Sequence, residues 1–147
     1  MVAGKVFDVI VVGCGSVGNP TAYQLAKAGL KVLVIDRRSS AGQGENKTAI
    51  GGVRATHSDP GKISVGLESI RIFSNWQEEY GFDIEWKPGG YCFPVYDETI
   101  ENTLKSLLPL QKGYGLNINW VSADEIKEII PGINAEGLRG GTYSPED

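Results

Sequence analysis

Three glycines and one aspartate are spaced as a site for a phosphate-bearing ligand requires. Gly13, Gly15 and Gly18 form a Gly-x-Gly-x-x-Gly turn, and Asp36 follows further along the chain. The first glycine allows a tight turn, the second leaves the backbone open to a ligand, and the third lets a helix pack close to a strand. Phosphates would face the unpaired N–H groups of a helix amino terminus, and Asp36 could accept hydrogen bonds from ribose hydroxyls. The spacing therefore predicts a site for an adenine dinucleotide.

The segments on both sides of this turn favour the same interpretation. Residues 6–12 are almost continuously apolar and rich in β-branched side chains, as in a parallel strand that is buried on both faces. The following helix is expected to end at Gly29, a favourable carboxyl-terminal cap. A second apolar strand over 31–35 leads directly to Asp36. Residues 5–36 thus predict the strand–helix–strand unit of a Rossmann-like α/β fold, with a glycine turn that binds no ligand as the alternative.

The composition excludes several classes of protein. The chain has 147 residues, 41% of them hydrophobic, and a formal net charge of −4, which predicts one domain or one domain and a part. This charge does not favour a nucleic-acid partner, and no apolar run approaches the roughly 20 residues of a membrane span. Cys14 and Cys92 form no CxxC pair, so we expect neither disulfides nor a metal site, and a reducing, cytoplasmic compartment.

The residues after Asp36 bear on which dinucleotide is bound. Arg37 and Arg38 could recognise the 2′-phosphate of NADP, but the carboxylate of Asp36 would repel that phosphate. A long polar, glycine-rich stretch over 39–54 then follows, and loops of this length are usually functional. Its glycines permit close backbone approach to a bulky ligand. At this point both a flavin and a nicotinamide dinucleotide remain possible ligands.

Several motifs together resemble a known family. The glycine turn, Asp36, the loop and its ending Gly51-Gly52-Val53-Arg54 are similar to those of FAD-dependent amino-acid and amine oxidoreductases of the D-amino-acid oxidase superfamily. The closer resemblance is to the branch of sarcosine oxidase and the proline dehydrogenase β-subunit, carried by segments 76–81, 87–91, 129–133 and 141–147. This resemblance implies FAD as the cofactor. It also implies an α/β fold with a Rossmann-like, glutathione-reductase-type FAD-binding domain and the start of an α+β substrate domain.

The resemblance and the change of sequence pattern divide the chain into three parts. Residues 1–81 are predicted as the amino-terminal part of the FAD-binding domain, 82–136 as the beginning of the substrate-binding domain, and 137–147 as a return toward the FAD domain. Because members of the family are considerably longer, we expect an amino-terminal portion with a partial active site. Apolar faces left uncovered would then favour self-association or a completing partner chain.

Local patterns predict the remaining elements. Apolar residues at intervals of three and four predict a helix over 62–80 that ends at Gly81. The alternation of Phe82, Ile84 and Trp86 predicts a strand. Downstream, the patterns predict an extended segment over 91–96, a helix around 100–108, a strand over 117–121, and a short helix that is capped by Ser122 and Glu125 and ends at Pro131.

The resemblance implies roles for individual residues. The predicted cofactor-binding residues are Gly13, Gly15, Ser16, Val17, Gly18, Asp36, Arg37, Gln43, Gly44 and Asn46. Arg54 resembles the family arginine that faces the substrate carboxylate, and a guanidinium binds a carboxylate with two parallel hydrogen bonds. A surface or structural arginine is the alternative. His57, the one histidine of the chain, is not favoured as a base, because the reaction of this family needs no strong protein base.

The implied activity is the oxidation of a small amine or amino acid that resembles sarcosine, proline or glycine. In this family a neutral amine passes a hydride equivalent from its α-carbon to flavin N5, and water hydrolyses the resulting imine. The second hypothesis is a non-catalytic or regulatory NAD(P)-binding module, because a shared fold alone does not exclude it. The visible absorption of a bound flavin would distinguish the two.

Overall fold

A computed structural model describes residues 4–147, except for the side chain of Asn46. In chain order the elements are β1 (Val9–Val12), α1 (Gly18–Lys27), β2 (Val32–Ile35), a 3-10 helix (Glu45–Thr48), α2 (Pro60–Ser74), α3 (Trp76–Tyr80), β3 (Tyr91–Val95), α4 (Glu98–Gly113), β4 (Asn119–Val121), α5 (Ala123–Ile129) and β5 (Gly140–Ser144). They form two compact units, Met1–Gly52 and Val53–Asp147. Among the helices in the described part of the chain, none has the length and apolar character needed to span a membrane.

The first unit is the predicted strand–helix–strand arrangement. β1 and β2 pair in parallel, with Val9 opposite Val32 and Val12 opposite Ile35. A parallel pair needs a crossover connection, and α1 supplies it by packing on these two strands. Gly29 takes a left-handed φ of 89° just beyond α1, as the predicted helix end requires. The local sequence pattern was therefore sufficient to predict the arrangement of this unit, but the expected burial of β1 on both faces is wrong, since Ile10 is 57% and Val12 is 80% exposed.

The second unit contains an antiparallel sheet in the order β3-β5-β4. The central strand β5 carries adjacent glycines because its neighbours approach closely. A Cβ on Gly141 would lie 2.4 Å from the carbonyl oxygen of Phe93, and one on Gly140 would lie 2.5 Å from that of Val121. No strand was predicted here, because glycine has a low intrinsic preference for strands and only the long-range packing reveals the need for it.

Three helices of the second unit, α2, α4 and α5, begin at side-chain caps. The Asp59 carboxylate accepts a hydrogen bond from the backbone N–H of Lys62 at 2.9 Å, and Pro60 occupies the first turn of α2. The predicted capping box of Ser122 and Glu125 is confirmed at the start of α5. The buried centre of the unit consists of Ala55, Leu116 and Ile118, packed against Leu67, Ile70 and Leu108.

Two element predictions need correction. The helix predicted over 62–80 is two helices, because Asn75, with φ −97° and ψ 4°, ends α2 and precedes α3. The strand predicted over 82–86 is wrong, and this segment has no regular structure. Glu85 adopts a left-handed φ of 57°, which interrupts an extended backbone, and Phe82 is 71% exposed rather than packed on one face.

The domain boundaries proposed from the sequence stay a prediction. The two compact units divide after Gly52, whereas the functional boundaries were placed after 81 and 136. Residues 137–147 supply β5, whose hydrogen-bonded neighbours are β3 and β4 of the second unit. This terminal segment is thus part of the same sheet as the predicted substrate-domain strands.

Candidate functional site

The glycine turn joins β1 to α1 in a conformation that depends on its glycines. Gly13 has a left-handed φ of 103°, and its N–H donates to the carbonyl oxygen of Ile35 at 2.7 Å. A Cβ on Gly18 would lie only 1.9 Å from the carbonyl oxygen of Gly13, so no side chain fits there. Gly18 therefore lets α1 start directly against the turn, as the sequence motif predicts.

Gly15 has a different environment within the same turn. Among the described residues other than its chain neighbours, none has an atom within 4 Å of the position that its Cβ would occupy, and the same is true of Gly44 in the following loop. The absence of side chains at these two glycines leaves open space above the backbone rather than relieving a contact within the protein. This is the arrangement that close approach of a pyrophosphate requires.

The Asp36 carboxylate closes the other side of the turn. One oxygen accepts a hydrogen bond from the backbone N–H of Cys14 at 2.6 Å, and the other accepts one from that of Arg38 at 2.8 Å. These hydrogen bonds, first that of Cys14, hold the pKa of Asp36 below its ordinary value, with help from the charges of Arg38 and Arg37. The carboxylate is ionised at neutral pH and fixed beside the turn, where it can accept further hydrogen bonds from ribose hydroxyls.

Among the cavities that adjoin the glycine turn, two share part of their lining. The first has a volume of about 560 Å³ and is lined by Val12, Gly13, Gly15, Ile35, Asp36, Arg37, Arg38, Gly44 and Glu45. The second, of about 390 Å³, is lined by Cys14, Gly15, Ser16, Asn19, Pro20, Gly42, Gly44, Glu45 and Lys47. Both volumes are within the range of small-molecule sites. The two share Gly15, Gly44 and Glu45, so the glycine turn borders a divided cleft.

The first cavity combines an apolar wall with the acidic group. Val12 is 80% exposed and Ile35 is 46% exposed, although both belong to strands. Large exposed aliphatic side chains beside a polar anchor suit a flat aromatic base such as adenine, which would bury them. Asp36 stands on the same cavity wall, where a ribose attached to that base could reach it.

The loop after β2 folds back onto the glycine turn. The N–H of Gly42 donates to the carbonyl oxygen of Cys14 at 2.9 Å. Arg38 and Glu45 form an exposed ion pair of 3.5 Å across the loop. Lys47 donates to Gln43 at 3.2 Å.

The structure brings only some of the predicted cofactor residues to the two cavities: Gly13, Gly15, Ser16, Asp36, Arg37 and Gly44. Val17 precedes α1, is 76% exposed, and lines neither cavity. Gln43 contacts the cleft indirectly, through its hydrogen bond with Lys47. Asn46 is also a predicted cofactor-binding residue, but its side chain lies outside the described part of the chain. A cofactor role for each of these residues stays a prediction.

Sequence reasoning assigned no role to three charged or polar residues that line the cleft. Glu45, Lys47 and Asn19 belong to this group, and Lys47 brings a positive charge to the second cavity. No spacing rule identifies them, because Glu45 and Lys47 lie on the short 3-10 helix of the loop after β2, and this loop is positioned by the hydrogen bond from Gly42 to the turn.

Arg54, in the second unit, is held by aromatic residues. Its Nη1 donates to the Tyr91 hydroxyl at 2.5 Å, and its guanidinium carbon lies 4.8 Å from the ring centroid of Tyr91 and 5.4 Å from that of Phe93. Its side chain is half-buried. Within residues 4–147, no carboxylate forms an ion pair with it. The guanidinium is therefore oriented by the protein while its charge remains available to an anion.

The backbone next to Arg54 is fixed by a buried acid. Asp147, 6% exposed, accepts hydrogen bonds from the N–H groups of Ala55 at 2.8 Å and Thr56 at 3.0 Å, and a further one from the Thr56 hydroxyl. This segment has no regular secondary structure, so its backbone needs such partners from elsewhere in the chain. Asp147 was not singled out in the sequence, since its partners lie far away along the chain.

Two further contacts brace the same segment. Gln111, on α4, donates from its side-chain amide to the carbonyl oxygen of His57 at 3.0 Å. On α2, a Cβ at Gly66 would lie 2.6 Å from the carbonyl oxygen of Arg54, so helix and segment touch at backbone distance. Residues 54–57 are thus held from several sides, which fixes the base from which the Arg54 side chain extends.

Arg54 and His57 both line an open cavity of about 490 Å³ beside α2, together with Val53, Asp59, Gly61, Lys62, Val65, Gly66 and Ser69. His57 was not favoured as a base, and its one described hydrogen bond is made by its backbone carbonyl. Cys92, in β3, is a free thiol whose pKa is raised by burial. Among residues 4–147, no three His, Cys, Asp or Glu side chains gather where they could hold a metal ion.

The fold and the glycine turn define a Rossmann-type dinucleotide-binding class, and comparison with known proteins identifies the family. Residues 8–147 match the family described as FAD dependent oxidoreductase, and the chain belongs to this family. Its fold is similar to that of L-proline dehydrogenase from P. horikoshii, with a TM-score of 0.88 and 30% sequence identity. That comparison covers 97% of this chain and 37% of the other.

Curated relatives agree with this assignment. A probable sarcosine oxidase of Arabidopsis thaliana is 36% identical over 86% of this chain and 30% of its own length. The FAD-dependent oxidoreductase domain-containing protein 1 of Xenopus laevis is 28% identical over 95% of this chain and 30% of its own. The chain thus spans about a third of the length of these relatives. The predicted family and fold are confirmed, and with them FAD as the cofactor.

Proposed function

We propose that this chain belongs to an enzyme that oxidises a small amino acid or carboxylated amine, and that Arg54 anchors the carboxylate of that substrate. The observation that carries the proposal is the state of the Arg54 guanidinium. It is half-buried, stacked on Tyr91 and Phe93, and without a carboxylate partner among residues 4–147.

A charge in this position indicates an anionic ligand. Removing a guanidinium partly from water is unfavourable unless an opposite charge or hydrogen-bond acceptors replace the water. Tyr91 supplies one acceptor, and the aromatic rings supply a weaker attraction, so part of the hydrogen-bonding capacity of Arg54 is left for a ligand. A carboxylate matches the planar guanidinium through two parallel hydrogen bonds, which would orient the substrate as well as bind it.

We further propose that the cleft at the glycine turn holds the adenosine diphosphate portion of FAD. The support is the open space at Gly15, the ionised carboxylate of Asp36, and the exposed apolar wall of Val12 and Ile35. When bound, the flavin would accept a hydride equivalent from the amine at its N5 atom. The chain's own groups would bind the two ligands and fix their orientation, which is a major source of rate in enzymes.

The class of substrate follows from the relatives and from Arg54 together. Relatives are named for sarcosine and proline, and both compounds combine a carboxylate with a secondary amine. We propose a sarcosine-, proline- or glycine-like substrate for the enzyme to which this chain belongs. A cytoplasmic location stays an expectation from the cysteine pattern.

The cofactor proposal is tested on the purified chain. Protein loaded with FAD and then desalted should show flavin absorption in the visible range, and heating should release FAD that chromatography and mass spectrometry identify. NAD and NADP, loaded in the same way, should not be retained. Retention of a nicotinamide dinucleotide in preference to FAD would contradict the proposal.

The substrate proposal is tested by calorimetric titration with sarcosine and proline. Replacement Arg54→Gln removes the charge and should abolish measurable binding, whereas Arg71→Gln should leave it unchanged. Arg71 is a suitable control because it is an exposed arginine that pairs with Glu68 and Glu79 on the surface. Equal binding by the Arg54 variant and the unaltered chain would exclude Arg54 as the anchor.

An association partner is a separate proposal. Val6 is 82% exposed and Ile10 is 57% exposed, and Ile10 lies on the opposite face of β1 from Val11. Exposed aliphatic residues beside a strand favour coverage by another chain segment or by a second copy. Sedimentation at several protein concentrations should show self-association. A single monomeric species at every concentration would contradict the proposal that a second copy of the chain covers Val6 and Ile10.

A further inference from the structure

The Tyr91 hydroxyl is the only group that the described residues place in hydrogen-bond contact with the Arg54 guanidinium. In this contact Arg54 Nη1 donates and the phenolic oxygen accepts, at 2.5 Å. A phenol can accept and donate at the same time. The structure gives no acceptor among residues 4–147 for the hydroxyl proton of Tyr91, so this proton is left to donate elsewhere.

The backbone holds Tyr91 firmly at the start of β3. Tyr91 pairs with Ser144 of the central strand β5, so the residue is anchored in the sheet. The preceding Gly90 has a φ of 75°, and a Cβ there would lie 2.6 Å from the Tyr143 ring and its hydroxyl oxygen. The left-handed φ of Gly90 therefore restricts the turn that leads into Tyr91 and favours glycine there. Such a support suits a side chain whose position matters for ligand binding.

We propose that the Tyr91 hydroxyl is a second carboxylate-binding group, which acts with Arg54 and determines the preference for carboxylated ligands. This proposal rests on the proposed role of Arg54. The hydroxyl polarised by Arg54 would donate its proton to one carboxylate oxygen, while free N–H groups of the guanidinium donate to the carboxylate as well. An anion would thus meet donors from two elements, the segment before α2 and strand β3.

The arrangement predicts selectivity between charged and neutral ligands of the same shape. A hydrogen bond to a charged group contributes more than one between neutral groups. Sarcosine and its neutral amide differ at the group that Arg54 and Tyr91 would contact. Loss of the Tyr91 hydroxyl should therefore weaken sarcosine binding more than binding of the amide.

The experiment compares Tyr91→Phe, Tyr143→Phe and Arg54→Gln in the full chain, titrated calorimetrically with sarcosine and sarcosinamide. Tyr91→Phe keeps the ring below the guanidinium and should weaken sarcosine binding about tenfold, with little change for the amide. Tyr143→Phe is the control, because that tyrosine is opposite Cys92 in the sheet register and its hydroxyl contacts the Gly90 site. It should keep the selectivity of the unaltered chain. Circular dichroism and thermal unfolding check that each variant folds.

The outcomes separate the two proposals. If Arg54→Gln abolishes sarcosine binding and Tyr91→Phe binds like the unaltered chain, Arg54 remains the anchor and the role of Tyr91 is overturned. If the unaltered chain and Arg54→Gln bind sarcosine equally, or neither binds it, both proposals are overturned. Lower affinity of Tyr91→Phe for sarcosine and sarcosinamide alike would indicate a structural role only, and would also overturn the proposal for Tyr91.

A second measurement needs no substitution at Tyr91. In protein labelled at the tyrosine Cζ carbon, the chemical shift of that carbon reports hydrogen bonding of the hydroxyl. Saturation with sarcosine should move the Tyr91 signal, assigned through its proximity to Arg54, and leave the Tyr143 signal in place. Sarcosinamide should cause a smaller shift of Tyr91. An unmoved Tyr91 signal in a sarcosine-saturated sample would overturn the proposal.

Discussion

The Asp147 carboxylate accepts two hydrogen bonds from Thr56, one from its backbone N–H at 3.0 Å and one from its side-chain hydroxyl, although 91 positions separate the two residues in the sequence. The second carboxylate oxygen accepts from the N–H of Ala55 at 2.8 Å. A buried carboxylate is tolerated when hydrogen bonds replace its water, and here three donors do so. The result is a fixed backbone immediately after Arg54, the proposed anchor of the substrate.

Replacement of Asp147 by asparagine should destabilise the second unit. The asparagine amide keeps one acceptor oxygen but places an NH₂ group where the carboxylate accepts hydrogen bonds, so at least one buried donor loses its partner. We expect the free energy of unfolding to fall by about 3 kcal/mol. Urea denaturation measures this change, and hydrogen exchange of the Ala55 and Thr56 amides should become faster.

The neighbouring Glu146 provides the control for Asp147. Its carboxylate accepts a hydrogen bond from the Asn117 side chain at 2.9 Å in an exposed setting. Glu146→Gln should therefore change the free energy of unfolding by less than about 0.5 kcal/mol. Equal effects of the two substitutions would show that the hydrogen bonds of Asp147 to residues 55 and 56 are not what stabilises the segment.

The two later glycines of the turn should respond oppositely to substitution. At Gly15 a side chain meets open space, so Gly15→Val should leave the fold intact and abolish FAD binding by occupying the ligand's position. At Gly18 even a methyl group would lie 1.9 Å from the carbonyl oxygen of Gly13, so Gly18→Ala should lower the free energy of unfolding by about 3 kcal/mol. Thermal unfolding and FAD fluorescence titration measure the two effects.

Each of these variants is the control for the other. A Gly15 variant that unfolds like Gly18→Ala would show that the space beside Gly15 is needed by the protein itself. A Gly15 variant that is folded and retains stoichiometric FAD would place the phosphate site elsewhere.

FAD binding should weaken in acid because of Asp36. The pKa of its carboxyl in the folded protein is lowered, chiefly by the hydrogen bond from Cys14 and then by that from Arg38. The contribution of the ionised form is therefore complete above the ordinary pKa of about 4 and is lost as the pH falls through the lower, folded-state value. When Asp36 is protonated, its neutral carboxyl group is a weaker acceptor for the ribose hydroxyls and for the N–H of Cys14. Titration with FAD at decreasing pH follows this loss.

Asp36→Ala should weaken FAD binding at neutral pH by about one to two orders of magnitude and flatten its acid dependence. Asp124→Asn is the control, because Asp124 also has a lowered pKa, caused by its hydrogen bond with Lys127, and lines neither cavity of the cleft. An unchanged FAD affinity in the Asp36 variant would remove the ribose assignment.

The sequence predicted best those features that depend on residues close together. The strand–helix–strand unit, the turn and the position of Asp36 follow from one short stretch whose spacing reflects backbone geometry. The capping box at Ser122 was likewise predicted, because a cap is a contact across three residues. Arg54 came from a family resemblance, and its orientation by Tyr91 and Phe93 was not foreseen.

The features that were missed depend on distant parts of the chain. The central strand β5 is glycine-rich because its neighbours need the space, and the Asp147 carboxylate finds its donors in residues 55 and 56. The predicted strand at 82–86 failed for the opposite reason. Its alternating apolar residues satisfy a local rule, but Glu85 turns the backbone away from an extended conformation.

Gly66 offers a direct way to displace the Arg54 segment. It lies on α2 where a Cβ would be 2.6 Å from the carbonyl oxygen of Arg54 and 2.7 Å from the Cα of Ala55. Gly66→Ala must therefore move the segment or the helix, and we expect a loss of about 2 kcal/mol in the free energy of unfolding together with weaker sarcosine binding. Gly113→Ala on α4 is the control, because among the described residues no atom is within contact distance of its Cβ position and Gly113 does not line the Arg54 cavity. Urea denaturation measures the free energy of unfolding of both variants, and calorimetric titration measures their affinity for sarcosine. Sarcosine affinity that is unchanged in a destabilised Gly66 variant would show that Arg54 does not depend on this contact for its position.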